Sequence, residues 1–172
     1  MSARRLSVLV LVAAMTAPLA AQPQSPPMGP SPKSPIRDGK TLYVRLGGYD
    51  AIAKVVDSFL PHLLAADPKI PNMVSGLSEA SRMRNRQMIV DQICMLTGGP
   101  CLFVGRPNDV THQGLEITQE LWDKSQKAMA DTLDELKVKD PEKSDLIAVI
   151  DTLKTDIIQK PKKPAAPPSG KF

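Results

Sequence analysis

The sequence predicts an all-α domain. Apolar residues recur at three- and four-residue spacing through four separate segments, the period that puts them on one face of a helix. Each segment either closes at glycine or proline or opens at a residue suited to cap a helix. No stretch alternates apolar and polar with the period of two that a half-buried strand needs.

The first helix is expected over 50–65, where Ile52, Val55, Val56, Phe59, Leu63 and Leu64 share one stripe. Asp67-Pro68 stops it, because proline lacks the N–H and its ring clashes with the preceding turn. The second is expected over 78–97 on Met83, Val90, Ile93 and Leu96, and Gly98-Gly99-Pro100 closes it. The third follows a Thr118 cap and carries Ile117, Leu121, Ser125, Ala128, Thr132, Leu133 and Leu136. Asp140-Pro141 opens the fourth as cap and first helical residue, with Leu146, Val149, Ile150, Leu153 and Ile157 along it. Between the second and third helices, 98–116 is expected to be non-helical. Connections of that length usually carry function.

The four segments fall within 40–159 of the 172 residues, enough for one hydrophobic core. Residues 1–21 have the form of a secretory signal peptide: Arg4 and Arg5, an apolar run from Leu6 to Met15 broken by Ser7, then Leu19-Ala20-Ala21 before Gln22. The apolar run is too short to span a bilayer, and no cysteine follows it to take a lipid. The expectation is an exported protein, in a bacterial periplasm, with no membrane span in its mature form; the alternative is an uncleaved N-terminal anchor. Residues 22–39 hold six prolines and 160–172 hold four prolines and four lysines, which predicts a disordered linker and a disordered tail. The net charge of +4 comes from these flanks: within 40–159 there are 14 basic against 17 acidic residues, a balance of −3. That balance, with three Phe, two Tyr and one Trp in the chain, argues against a phosphate-reading groove or a stacking platform, so nucleic acid is not an expected partner.

The candidates for chemistry are few. The chain has two histidines and two cysteines, without HExxH or CxxC spacing, which does not build a tetrahedral zinc site. His62 ends the first helix off its apolar stripe and reads as a surface residue. His112 lies in the long connection, where a single imidazole serves as a ligand if a cofactor supplies the rest, as a porphyrin does with four nitrogens. No flavin or nicotinamide motif is present, so redox use requires an electron donor, and that partner is unknown. An oxidising compartment and the chain reversal at Gly98-Gly99-Pro100 make a Cys94–Cys101 disulfide feasible; the alternative is two small buried apolar residues.

Several segments together resemble a known family: Leu42-Tyr43-Val44-Arg45-Leu46-Gly47-Gly48, Val55 to Leu60, Asp91-Gln92-Ile93-Cys94 through Thr97-Gly98-Gly99-Pro100, and Gly105-Arg106 followed by His112, Gly114-Leu115 and Ile117-Thr118. In this order they are similar to the group 1 truncated haemoglobins. The resemblance implies a truncated globin two-over-two helical sandwich that holds haem b between the second helix and the long connection. His112 falls on the family's iron ligand. Leu60 stands where many members carry a tyrosine, Met73-Val74 where they carry a phenylalanine pair, and Phe103 where a tyrosine is common. Asn85 and Ile89 fall on the distal positions of the second helix. The implied function is an exported haem protein that binds a diatomic gas (oxygen, nitric oxide or carbon monoxide) at a His-ligated iron, with redox use such as nitric oxide oxidation. The alternatives are a globin-like binding module that has lost haem, and electron transfer or haem carriage. Leucine cannot donate a hydrogen bond, so the distal side is expected to be apolar with Asn85 the nearby donor, which implies ordinary carbon monoxide binding and fast oxygen release. Arg82, Arg84 and Arg86 read as a solvated face that offers a partner for a haem propionate.

Overall fold

The computed structural model describes residues 35–158; the segments expected as signal peptide and tail, and all but the last residues of the expected linker, lie outside the described residues. The described chain is helical: α1 Leu42–Leu46, α2 Tyr49–Ala66, α3 Lys69–Met73, α4 Glu79–Leu96, α5 Asn108–Thr111, α6 Gln119–Glu135, α7 Glu142–Asp151 and α8 Lys154–Ile157. The four expected helices are α2, α4, α6 and α7. Thr118 caps α6 as expected, Ser78 is the cap of α4 rather than its first residue, and α7 starts one residue later than expected, with Pro141 rather than Asp140 as its cap. The hydroxyl of Ser78 accepts from the backbone N–H of Ser81 at 3.2 Å, and that of Thr118 accepts from Leu121 at 3.3 Å, which satisfies donors that a helix start leaves orphaned.

Three further expectations need correction. The connection 98–116 is not wholly irregular, because Asn108–Thr111 winds one helical turn. The fourth helix breaks before Leu153: the N–H groups of Thr152 and Leu153 donate to the carbonyls three residues back, at 3.2 and 2.9 Å, a tighter winding than the α ladder, and the chain resumes as α8. In α4 the apolar stripe does not reach the first turns. Met83 is 67% exposed, and the buried residues are Val90, Ile93 and Cys94 in the second half.

The helices form two layers. α2 packs on α4 and on α6, α6 packs on α7, α1 lies across α2 and α7, and α5 rests on α8. The α2/α4 and α6/α7 pairs are the two-over-two sandwich. Their shared core contains Leu42 from α1, Ile52, Val55 and Val56 from α2, Val90, Ile93 and Cys94 from α4, Met129 and Leu133 from α6, and Leu146 and Val149 from α7. Among the described residues no helix is long and apolar enough to cross a membrane.

The seam between α1 and α7 is ionic. Arg45 reaches Glu142 at 2.7 Å and Asp145 at 2.6 Å, and the Arg45 and Asp145 side chains are 9% and 10% exposed. Arg37, within the stretch expected to be linker, also donates two hydrogen bonds to Asp145, at 2.9 and 3.0 Å. The domain thus begins before α1. Hydrogen bonds from Arg37, then from Arg45, hold the Asp145 carboxyl below the usual carboxylate range against the opposing effect of burial. A depressed folded pKa stabilises fully above the unfolded value of about 3.9, and the contribution fades as pH falls through the folded value. Asp145→Asn is therefore expected to cost roughly 3 kcal/mol at neutral pH, since it leaves Arg45 short of a partner in a mostly buried position. Its thermal midpoint should also fall less steeply than the wild type's below about pH 4. Melts by circular dichroism from pH 7 to pH 2 measure both, and parallel curves would show that Asp145 does not contribute this acid sensitivity.

Candidate functional site

The site is organised from the end of α4. Thr97 caps the helix and folds its hydroxyl back onto the Ile93 carbonyl at 2.7 Å. Gly98 follows at φ +82°, a left-handed conformation that glycine adopts without a Cβ penalty. At Gly99 the reason for glycine is space: an added Cβ would stand 2.5 Å from the Tyr43 ring and 2.6 Å from Cys94 Sγ. Tyr43 is held there by its own N–H, which donates to the Thr97 carbonyl at 2.8 Å. A Cys94–Cys101 disulfide, with a Cα–Cα distance of 5.8 Å, then ties the outgoing chain back to α4. Of the two open readings of this pair, the bridge is the one present.

From that staple the chain runs to α5. Leu102 and Val104 are 64% and 70% exposed, and the Phe103 ring lies over Gly105, where a Cβ would collide with it. Thr111 Oγ1 donates to the Pro107 carbonyl at 2.8 Å and closes the single turn of α5. His112 caps that turn, half-buried, with Nδ1 2.8 Å from the Asn108 carbonyl oxygen. A carbonyl only accepts, so Nδ1 carries the proton, and in the neutral ring the lone pair is on Nε2. Gly114 and Glu116, both at positive φ, turn the chain into the Thr118 cap of α6.

The other sequence-derived residues are spread over three elements and the connection. Leu60 on α2 and Ile89 on α4 are half-buried and pack against the shared core. Met73 ends α3 and Val74 caps it, both half-buried. Asn85 is exposed on α4, and Phe103 is half-buried in the connection. Leu60 and Ile89 therefore pack on one cluster, while His112 caps α5, an element that packs on α8.

An apolar, planar cofactor fits these residues. Met83 on α4, Leu102 and Val104 on the connection and Val110 on α5 are all large, apolar and 44–70% exposed, as are Ile36, Val44 and Leu64 elsewhere to 39–65%, and such side chains gain from contact with an apolar ligand. The first four lie on the α4–α5 stretch that carries His112. Arg82 and Arg84 are exposed on α4. Arg86 is not part of a free solvated face: it makes two hydrogen bonds of 2.7 Å to Asp57 of α2, and these hold the Asp57 carboxyl below its ordinary range.

Two polar ties escaped the sequence. Tyr49 of α2 donates to Asp91 of α4 at 2.9 Å and is met by Gln87, which locks the start of α2 to α4. His62, expected at the surface, is half-buried, with Nδ1 2.8 Å from the Thr132 hydroxyl of α6 and Nε2 3.3 Å from Glu135. Nothing in the spacing signals either, because polar partners have no periodicity.

Comparison with known proteins gives a consistent result. Residues 41–159 match the family described as bacterial-like globin. A group 1 truncated haemoglobin from Mycolicibacterium paratuberculosis is 28% identical over 117 residues, covering 68% of this chain and 83% of that protein. The ferric crystal structure of the truncated haemoglobin from Tetrahymena pyriformis superposes with a TM-score of 0.63 at 26% identity, covering 70% of this chain and all of that one. A cold-adapted truncated haemoglobin from the Antarctic bacterium Pseudoalteromonas haloplanktis gives 0.56 at 28% identity, with 70% and 99% covered.

The staple at the end of α4 makes a measurable prediction. Closing so short a loop stabilises by about 2.5 kcal/mol, and a Cβ forced against Tyr43 at position 99 costs about 1–3 kcal/mol. Reductant and Gly99→Ala should each lower the thermal midpoint by several degrees. A melt unchanged by reductant, with both thiols titrated as reduced, would show that the bridge contributes nothing.

Proposed function

Because the chain belongs to the bacterial-like globins, among the group 1 truncated haemoglobins, we propose that it binds haem through His112 and holds a diatomic gas at the iron. The observation that carries this reading is the His112 ring: its Nδ1 is fixed on the Asn108 carbonyl at 2.8 Å, which orients the imidazole and makes Nε2 the nitrogen that carries the ligand lone pair in the neutral ring. When bound, the haem iron supplies the coordination position for oxygen, nitric oxide or carbon monoxide. The chain's own residues do the rest. Met83, Leu102, Val104 and Val110 exchange exposure to water for contact with the macrocycle, with Met73, Val74 and Phe103 around them. Leu60 and Ile89, held by the core, wall the gas side with hydrocarbon. Arg82 and Arg84, exposed on α4, offer cations for the propionates.

The haem in this reading is haem b. The chain's two cysteines are bonded to each other, so no thiol is left for a thioether link. The disulfide and the signal-peptide pattern of 1–21 also support an oxidising compartment outside the cytoplasm. Redox use such as nitric oxide oxidation would draw on an external electron donor.

The test is haem titration of the purified protein and of two single variants. The wild type should take up one haem with a Soret band and a shift on carbon monoxide addition. His112→Ala should lose most of its haem on a desalting column, and His62→Ala should retain it. Full retention by His112→Ala with an unchanged ferrous spectrum would overturn the ligand assignment. No uptake by the wild type would favour the module that has lost haem.

A further inference from the structure

The stretch 100–105 is held to the rest of the domain chiefly by one covalent tie. Among the described residues, none of its backbone groups bonds to another backbone group: the last such bond out of α4 is from the Gly99 N–H to the Cys94 carbonyl, at 2.8 Å, and the next is from the Val110 N–H to the Pro107 carbonyl, at 3.1 Å. Leu102 and Val104 are exposed, and the Phe103 ring lies within the stretch, over Gly105. Cys101 packs on the shared core and is bonded there to Cys94 of α4. The bridge thus fixes the outgoing chain at one end, and α5, resting on α8, fixes the other. Leu102 and Val104 lie between these two anchors, and His112 follows directly after α5. The two sulfurs differ in access. Cys94 is fully buried and Cys101 only half-buried, so Cys101 is the residue whose sulfur a thiolate from solvent meets first.

We propose that the Cys94–Cys101 disulfide is a redox switch on haem retention: reduction by a dithiol frees 100–105 and the chain gives up haem faster, while bound haem makes the bridge harder to reduce. The inference rests on the haem reading above. One thiolate of the dithiol attacks Cys101 Sγ; the S–S bond breaks, and its electron pair leaves on Cys94 Sγ, which takes up a proton. The second thiolate attacks the dithiol's own sulfur in the mixed disulfide, and Cys101 Sγ leaves and takes up a proton. Two electrons pass to the protein, and the dithiol ends as a disulfide. With the bridge open, Leu102, Val104 and His112 are no longer fixed to α4 beyond Gly99. The ordering that the bridge had provided then falls to haem binding itself, at a cost in affinity. Such a coupling is reciprocal between the two sites.

The probe is dithiothreitol on the full chain. Wild type is reduced, desalted without air and loaded with haem, and its haem loss to excess apomyoglobin is compared with that of oxidised wild type. The double variant Cys94→Ala with Cys101→Ala, which has no bridge to open, is measured in parallel. Reduced wild type and the double variant should both lose haem about tenfold faster than oxidised wild type, within the usual range of coupling between two sites. Prior treatment with dithiothreitol should leave the double variant's rate unchanged. Circular dichroism at the assay temperature should show the same helicity in all three samples. In the reciprocal experiment, thiols are titrated in dithiothreitol redox buffers with and without haem. Haem should lower the midpoint potential of the bridge by about 30 mV, the two-electron equivalent of tenfold. Equal haem loss from oxidised wild type and from wild type with two titrated thiols overturns the switch and leaves the haem reading standing. Faster loss that comes only with lost helicity also overturns it, because the bridge then serves stability alone. A wild type that takes up no haem in either state overturns both.

Discussion

The Tyr43 ring and the Cys94 sulfur fill the volume that a side chain at position 99 would need, and much of the molecule follows from that crowding. Tyr43 belongs to α1, Cys94 to α4, and Gly99 begins the connection to α5, so three parts of the chain are fixed against one another at a single joint. The joint sets where the chain leaves α4. The disulfide to Cys101 sets its direction, and α5 begins seven residues after the bridge. His112 thus reaches its place by a path constrained at its origin, although α5 itself is a single turn with little packing of its own. Under the proposed ligand role such support behind His112 matters, because its own element is too short to provide any.

The long helices were legible in the sequence because amphipathic periodicity and capping chemistry act over the same residues. Ser78 and Thr118 mark helix starts that the structure places one residue later, and Asp67-Pro68 marks the end of α2. The short elements were not legible. α1, α3, α5 and α8 have four or five residues each, fewer than the two turns over which a stripe becomes recognisable. The first half of α4 was misjudged for a different reason: Met83 fits the helical period but lies beyond the reach of the core. As for the candidate site, His112 was visible as one of two histidines and the only one in a connection. Its hydrogen bond to Asn108 depends on the turn of α5, and has no signature in the order of residues, since it depends on what the fold brings near the ring.

Polar groups in this domain fall into two kinds. Arg45, Asp145, Arg86 and Asp57 are matched by partners of opposite charge, while the Nε of Arg45 is buried without a partner. Such pairs hold helices in register more than they add net stability, because taking charge out of water offsets much of the attraction. The second kind are ties made through a hydroxyl: Tyr49 donates to Asp91 at 2.9 Å, and His62 Nδ1 stands 2.8 Å from the Thr132 hydroxyl. The ionic seams lie where α1 meets α7 and where α2 meets α4.

Arg37 and Asp145 are 108 residues apart in the chain. During synthesis the beginning of this domain therefore emerges long before the carboxylate that latches it. Arg37 and Arg45 have no way to close their seam until α7 has been made. Were the chain exported unfolded, as the proposed location outside the cytoplasm allows, such a late latch would be an advantage: the leading end would remain pliable while it passed through a narrow channel and lock when the last helices had followed it across.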